Sequence, residues 1–417
     1  MTIPTKAYNQ GAWLIHHDQK LCAVKSNEFG NITTAGRAAR LLSCISKELE
    51  WTISDDRVQA LARANGIKKH EVPGLLGELE AVGLIHRGTS GLSVLGITQA
   101  NLFQHANVVF DQQDPSSLER AALDLAERAS EAPVEENEAS EELADIHKLS
   151  KAEKDDLISL SKQIGFVDHE DAGGETLLFN GSLFKRDHVA KSKVVLDTLD
   201  ATERHNLSDA DHRLAQMGCL PEDTIRRILG EKLWSKLHQI GYYQVSTVTN
   251  EQGSTTFVSK PAALVKYVPG GLGDMHDDAK ALASSLTYGI LKSNRERGKI
   301  MTPDRLMGAL IGRGYVEGWA PAIIRDYQVL ERRGVVATSK SSDGYRLTLL
   351  KTEVGQMAQD LILKGDATEA TTTAVVGQQP VTFSGPEVAR TAERLKDIPE
   401  TRRAASSALD ALRKSRQ

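Results

Sequence analysis

The sequence predicts a mainly α fold with small β-hairpin wings (α+β), built as several domains in tandem. Three observations lead there. The chain has 417 residues, 40% of them hydrophobic and only 5% aromatic, so it can bury more than one core and packs its helices through Leu, Ala, Ile and Val. One architectural phrase recurs: an amphipathic helix ends at glycine, a short apolar strand follows, then a polar Gly-containing turn, then a second strand. The glycines of that phrase, Gly83, Gly165, Gly241 and Gly334, are spaced by about 80 to 90 residues, a domain's length and too long for a solenoid repeat.

In chain order, Trp13-Leu14-Ile15-His16-His17 and Leu21-Cys22-Ala23-Val24 predict a β-hairpin turning at Asp18-Gln19, an extension over residues 1–33. The first module spans 34–100. Ala35 to Leu49 places Leu41, Leu42, Ile45 and Leu49 along one helical face, and Ser54 caps a second helix through Val58, Leu61 and Ala62. Asn65-Gly66 turns the chain into a third helix that begins near Lys68, with Pro73 in its early part tolerated only if the helix starts at about Val72. Gly83 ends it, and Leu84–Arg87 with Leu92–Leu95 form the hairpin. Residues 101–148 read as a helical and acidic linker, because Glu131–Asp145 is rich in Glu, carries Pro133 and has no aromatic residue.

Residues 149–181 give a weak second copy of the phrase, through Leu157, Gly165, the turn Gly173-Gly174 and Thr176–Phe179. The third module, 182–262, has helices at Val189–Leu199, Asp209–Met217 and Glu222–Ile240, then a hairpin turning at Asn250–Gly253. The fourth, 274–364, has helices at Ala279–Ser293, Pro303–Gly312 and Trp319–Arg333 and a hairpin from Val335 to Leu349 that turns at Ser342-Asp343-Gly344. Residues 365–417 read as a flexible linker and a basic helical tail carrying Arg390, Arg394, Lys396, Arg402, Arg403, Arg413, Lys414 and Arg416.

The order helix, helix, turn, helix, two-stranded wing resembles the winged helix-turn-helix superfamily. The link from third helix to wing, Leu75-Leu76-Gly77-Glu78-Leu79-Glu80-Ala81-Val82-Gly83-Leu84-Ile85, is similar to the LxxLExxGLI stretch of its bacterial members. The resemblance covers about half of the chain and implies tandem winged-helix domains, each offering a recognition helix to the major groove of double-stranded DNA. It implies a regulator, or the DNA-engaging subunit of a larger complex. On that reading phosphates and bases are met by Lys68, Lys69, His70 and Arg87 in the first module, by Arg226, Arg227, Lys232 and Lys236 in the third, and by Arg325, Arg332, Arg333, Lys340 and Arg346 in the fourth. Winged helices also dock proteins, as in kleisin-like and other subunits of chromosome-maintenance or defence complexes. The alternative is therefore a scaffold or adaptor with a protein partner or a second copy of itself.

Charge bears on this choice. With 51 Lys+Arg against 56 Asp+Glu the net charge is -5 and the pI about 6.2, so DNA contact has to be local. Glu78, Glu80, Glu222 and Asp223 are acids where a DNA-reading helix favours cations. Cys22, Cys44 and Cys219 lie far apart, without CxxC pairing or a His at ligand spacing, which argues against disulfides and zinc and for a reducing compartment. The polar first residues and the lack of an apolar run of ~20 predict a cytoplasmic protein without membrane span. Gly270-Gly271-Leu272-Gly273-Asp274 lacks the GK[ST] ending of a phosphate loop. His276-Asp277-Asp278 on a helix, and His16-His17 on a strand, point their neighbours apart. The sequence therefore predicts no metal, no cofactor and no catalysis.

Overall fold

The structure is a computed structural model and describes residues 6–24, 28–48, 52–88, 91–94, 101–267, 273–341, 344–367 and 370. These fall into two compact units, residues 6–181 and 182–370. Both are mainly helical with small antiparallel sheets. The basic tail and the glycine run 270–272 lie outside the described residues, as do Thr89, Ser90, Ser342 and Asp343 of the expected wing turns.

The N-terminal unit runs α1 (Lys6–Val24), α2 (Gly30–Ile45), α3 (Asp55–Ala64), α4 (Val72–Ala81), β1 (Ile85–Gly88), β2 (Gly91–Val94), α5 (Leu102–Gln112), α6 (Ser117–Glu131), β3 (Val134–Glu135), α7 (Glu136–His147), α8 (Lys151–Ile164), β4 (Asp168–Ala172) and β5 (Glu175–Phe179). The expected hairpin at Trp13–Val24 is instead part of α1. The physical reason is burial on every side: Gly11 to Asp18, Lys20 and Leu21 are all buried, and α1 packs on α2, α5, α6 and α8. A helix enclosed all round buries polar as well as apolar residues, so no solvent-facing stripe sets a helical period, and the short apolar runs Trp13–Ile15 and Leu21–Val24 read equally well as strands. Two glycines permit these approaches: a Cβ at Gly11 would lie 1.8 Å from the Phe103 carbonyl oxygen of α5, and one at Gly36 2.6 Å from the Leu14 carbonyl oxygen.

The acidic stretch is likewise not a solvated connector. Val134–Glu135 forms a strand, and α7 buries Ala139, Ser140 and Leu143. The second repeat therefore begins at α6, well before residue 149, and comprises α6, β3, α7, α8, β4 and β5 with sheet order β3-β5-β4. The first repeat has the same order, α2, α3, α4, β1 and β2; its first strand is reduced to the bridge Ile53↔Leu92, whose two backbone hydrogen bonds are 2.8 and 2.9 Å.

The C-terminal unit runs α9 (Val189–Asp197), α10 (Ala201–Met217), β6 (Leu220–Pro221), α11 (Glu222–Leu229), α12 (Glu231–Gln239), β7 (Gln244–Asn250), β8 (Gly253–Ser259), α13 (Ala262–Val265), α14 (Gly273–Leu291), α15 (Pro303–Gly312), β9 (Tyr315–Gly318), α16 (Ala322–Arg325), α17 (Gln328–Arg332), β10 (Val336–Ser341), β11 (Gly344–Leu349) and α18 (Thr352–Lys364). The third repeat is α10, β6, α11, α12, β7 and β8, with sheet order β6-β8-β7. The single helix expected over Glu222–Ile240 breaks at Gly230, whose φ of 76° and ψ of 158° no helix accommodates. In the fourth repeat α15, expected as the second helix, takes the first place and is followed by β9. The helix expected over Trp319–Arg333 divides into α16 and α17 around Asp326-Tyr327. Here α14 and α18 flank the repeat and close its core, Leu282, Leu286 and Leu361 packing with Leu310, Leu330 and Leu347.

One device is shared by all four repeats. Gly83, Gly165, Gly241 and Gly334 take φ of 73°, 86°, 77° and 65°. The residue after each donates its N–H to the carbonyl five positions earlier: Leu84 to Leu79, Phe166 to Ser161, Tyr242 to Leu237 and Val335 to Leu330. This is the six-to-one bond of a Schellman end, which reverses the chain into the hairpin and leaves the following apolar residue over the helix.

Candidate nucleic-acid interface

The first repeat presents Lys68, Lys69 and His70 on the turn before α4, all exposed and, among the described residues, without a side-chain partner. The turn is fixed from below. Glu71 accepts from the Lys68 backbone N–H at 2.8 Å and pairs with Arg37, which together with Arg40 neutralises the fully buried Asp18 of α1. The helix itself, Val72-Pro73-Gly74-Leu75-Leu76-Gly77-Glu78-Leu79-Glu80-Ala81, carries no cation. Arg87 on β1 does not project freely. Its Nε and Nη2 donate to Glu80 at 2.8 and 2.6 Å and its backbone N–H donates at 3.1 Å, which holds the Glu80 carboxyl below the usual range.

In the third repeat Arg226 lies between Glu222 at 2.9 Å and Glu231 at 3.4 Å, and Arg227 donates to the Asp223 carbonyl at 3.1 Å. Lys236 reaches Glu203 at 3.3 Å. Lys232 is exposed and unpartnered among the described residues. Its hairpin is turned inward. Gln244 accepts from Lys280 at 2.8 Å and Gln252 from Tyr288 at 2.8 Å, both donors on α14. At the tip, Asn250 donates to Asp326 at 3.3 Å, and Glu251 accepts from Arg297 and Arg325, each at 3.1 Å. Those hydrogen bonds, Arg297's first, take the Glu251 carboxyl down to about 2. Beneath them Arg297 and Asp326 form a buried two-point pair, with Nη1–Oδ2 at 2.5 Å and side chains 6% and 2% exposed. Arg325 is thus part of an internal network. A small shared core of Cys219, Val248, Phe257 and Tyr288 backs the hairpin.

In the fourth repeat Arg333 pairs with buried Asp278 at 2.5 Å, where Lys351 joins at 2.8 Å. Arg346 donates to Glu317 at 2.6 Å and stacks 4.5 Å above the Tyr315 ring. Arg332 and Lys340 are exposed and unpartnered among the described residues. The sequence-predicted cations therefore divide: Lys68, Lys69, His70, Lys232, Arg332 and Lys340 are free, while the other seven are held by groups of their own compact unit. Sequence reasoning missed the Asp18–Arg37–Arg40 and Arg297–Asp326–Glu251 clusters. Their ion pairs join residues 19 to 46 positions apart, so no local spacing announces them.

No group of three or more His, Cys, Asp and Glu among the described residues is placed to hold a metal ion. His16 and His17, expected on opposite faces of a strand, instead adjoin on α1 with their Nδ1 atoms 3.1 Å apart. Burial pushes His17 down to about 3, and its ring stacks on Phe166 at 3.7 Å. His276 on α14 is also buried and pushed down to about 4. The three cysteines are free thiols. Among the described residues no helix is long and apolar enough to cross a membrane. Compared with protein-family models, curated proteins and solved structures, the chain matches none.

Proposed function

We infer that the chain is a tandem winged-helix scaffold whose repeats dock proteins. The winged-helix reading draws on four repeats of one order, helix, strand or bridge, helix, helix, hairpin, each with its first strand against its last. The docking reading is carried by one observation: Arg87, Arg226, Lys236, Arg325, Arg333 and Arg346 already meet carboxylates of their own unit. A phosphate would only exchange one anion for another at these positions, and the net charge of -5 adds no long-range attraction. The first repeat's third helix offers two acids and no cation, and the third repeat's hairpin is engaged by α14.

Duplex DNA remains the second reading, favoured by the run Lys68-Lys69-His70 in the turn before α4, where every side chain is exposed and free among the described residues. Purification of the full chain from its source, with and without nuclease, separates the two. A stoichiometric protein partner that survives nuclease treatment is the expected result. A partner released by nuclease, together with duplex affinity that falls with salt at a slope of about -3 for three to four contacts, would replace docking by DNA binding.

A further inference from the structure

The fourth repeat and the end of α14 form an open cleft of about 400 Å³ between Gly289, the start of α15, β9 and α16, within the size range of small-molecule sites. Its wall is apolar over Ile300, Leu306, Val316, Ile323 and Leu347. Its shape is set by backbone approach. A Cβ at Gly289 would meet the Ile300 side chain at 2.6 Å, and one at Gly298, where φ is 119°, would meet the Ala320 Cβ at 2.5 Å. Glycine at these positions lets the 298–302 segment approach α14 through Ile300 and Ala320 through Gly298.

The charges around this space are unequal. Both lining carboxylates are neutralised from outside the cavity, Glu317 by Arg346 and Asp326 by Arg297. Both lining cations, Lys299 and Arg305, are exposed and have no ion-pair or hydrogen-bond partner among the described residues. An apolar cleft with two uncompensated positive charges selects a ligand that is hydrocarbon at one end and anionic at the other. Met301, 64% exposed, also lines the opening, and Trp319, 74% exposed, lies between the lining residues Gly318 and Ala320.

We propose that this cavity binds a small amphipathic carboxylate, an aliphatic or aromatic acid whose hydrocarbon part lies on the Ile300–Leu306–Val316 wall while its carboxylate meets Lys299 and Arg305. This site is independent of whether the repeats dock protein or DNA. Calorimetric titration of the full chain with decanoate tests it, with decylamine as the probe of opposite charge. Expected are saturable binding to one site, no comparable binding of decylamine, and an affinity at least about tenfold weaker in the double variant Lys299→Glu, Arg305→Glu. The conservative pair Lys299→Arg, Arg305→Lys retains binding, and a fluorescence change on adding decanoate disappears in Trp319→Phe. Absence of saturation with decanoate, equal binding of decylamine, or an unchanged affinity in the charge-reversed variant with its fold intact overturns the proposal.

Discussion

The hairpins of the first and third repeats grow from the same helix end and serve opposite purposes. In the first, β1 and β2 are four residues each, and the side-chain bonds of Arg87 return to Glu80 on the helix just left. In the third, β7 and β8 are seven residues each, long enough for the tip to reach the fourth repeat. There Asn250, Glu251 and Gln252 meet Asp326, Arg297 and Tyr288. A hairpin tip rich in Asn, Glu and Gln looks solvent-facing by composition. These side chains are instead matched to partners on α14 and the fourth repeat, so strand length and not turn polarity lets this hairpin reach its neighbours.

The largest expected effect loosens the third repeat's hairpin from beneath. Arg297→Ala leaves Asp326, 2% exposed, as a buried carboxylate without its guanidinium, and removes one of the two arginines on Glu251. Removing one member of a buried pair costs about 3–5 kcal/mol. Urea unfolding of the variant should show a loss of that size, and hydrogen exchange should show the amides of β7 and β8 opening while those of β1 and β2 keep their protection. Equal protection of β7 and β8 in both proteins would mean that the hairpin holds itself and that the network is incidental.

How much of this contrast the sequence discloses depends on range. The reversal at Gly83, Gly165, Gly241 and Gly334 is legible because a positive φ is a local demand that one residue type meets cheaply, and an apolar neighbour follows each time. The α1 helix is not legible, because Trp13, Leu14, Ile15 and even Asp18 are all buried and no polar stripe remains to set the period. The stretch Glu131–Asp145 misleads for the opposite reason: its many Glu residues mask the spacing of Ala139 and Leu143, the face that α7 buries. The candidate site follows the same rule. That Lys68, Lys69 and His70 are exposed can be read from a polar turn, whereas the capture of Arg325 by Glu251, 74 residues away, cannot.

A second effect, of intermediate size, compares the two units through one buried histidine each. His17 on α1 and His276 on α14 are held neutral by burial, at about 3 and about 4 against an ordinary 6.5. A depressed value means that the unfolded chain takes up the proton first. The stability these neutral rings contribute is therefore complete above about pH 6.5 and is lost as the pH falls toward the folded values, by about 2 kcal/mol for each ring at pH 5. Urea midpoints at pH 7 and pH 5 check this. His17→Phe, which keeps a ring against Phe166, should flatten the pH dependence of the N-terminal unit alone. His276→Leu should flatten that of the C-terminal unit, where α14 also carries Lys280 and Tyr288, the residues that grip the docked hairpin.

The smallest effect is expected at the first repeat's hairpin. Arg87 and Glu80 are 42% and 34% exposed, and in that setting attraction is screened by water and salt while two long side chains lose rotamer freedom. Arg87→Ala should leave the unfolding midpoint of the full chain where it was within measurement error, in contrast to Arg297→Ala. The substitution also leaves Glu80 without its cation on a helix that carries none, making the face that Glu80 shares with β1 more acidic. If the first repeat docks a protein through this face, the variant's affinity for the nuclease-resistant partner changes while its stability does not. A midpoint that falls as far as in Arg297→Ala would erase the distinction between the two hairpins, since the bond from Arg87 to its own helix would then do structurally what the third hairpin's reach to its neighbours does.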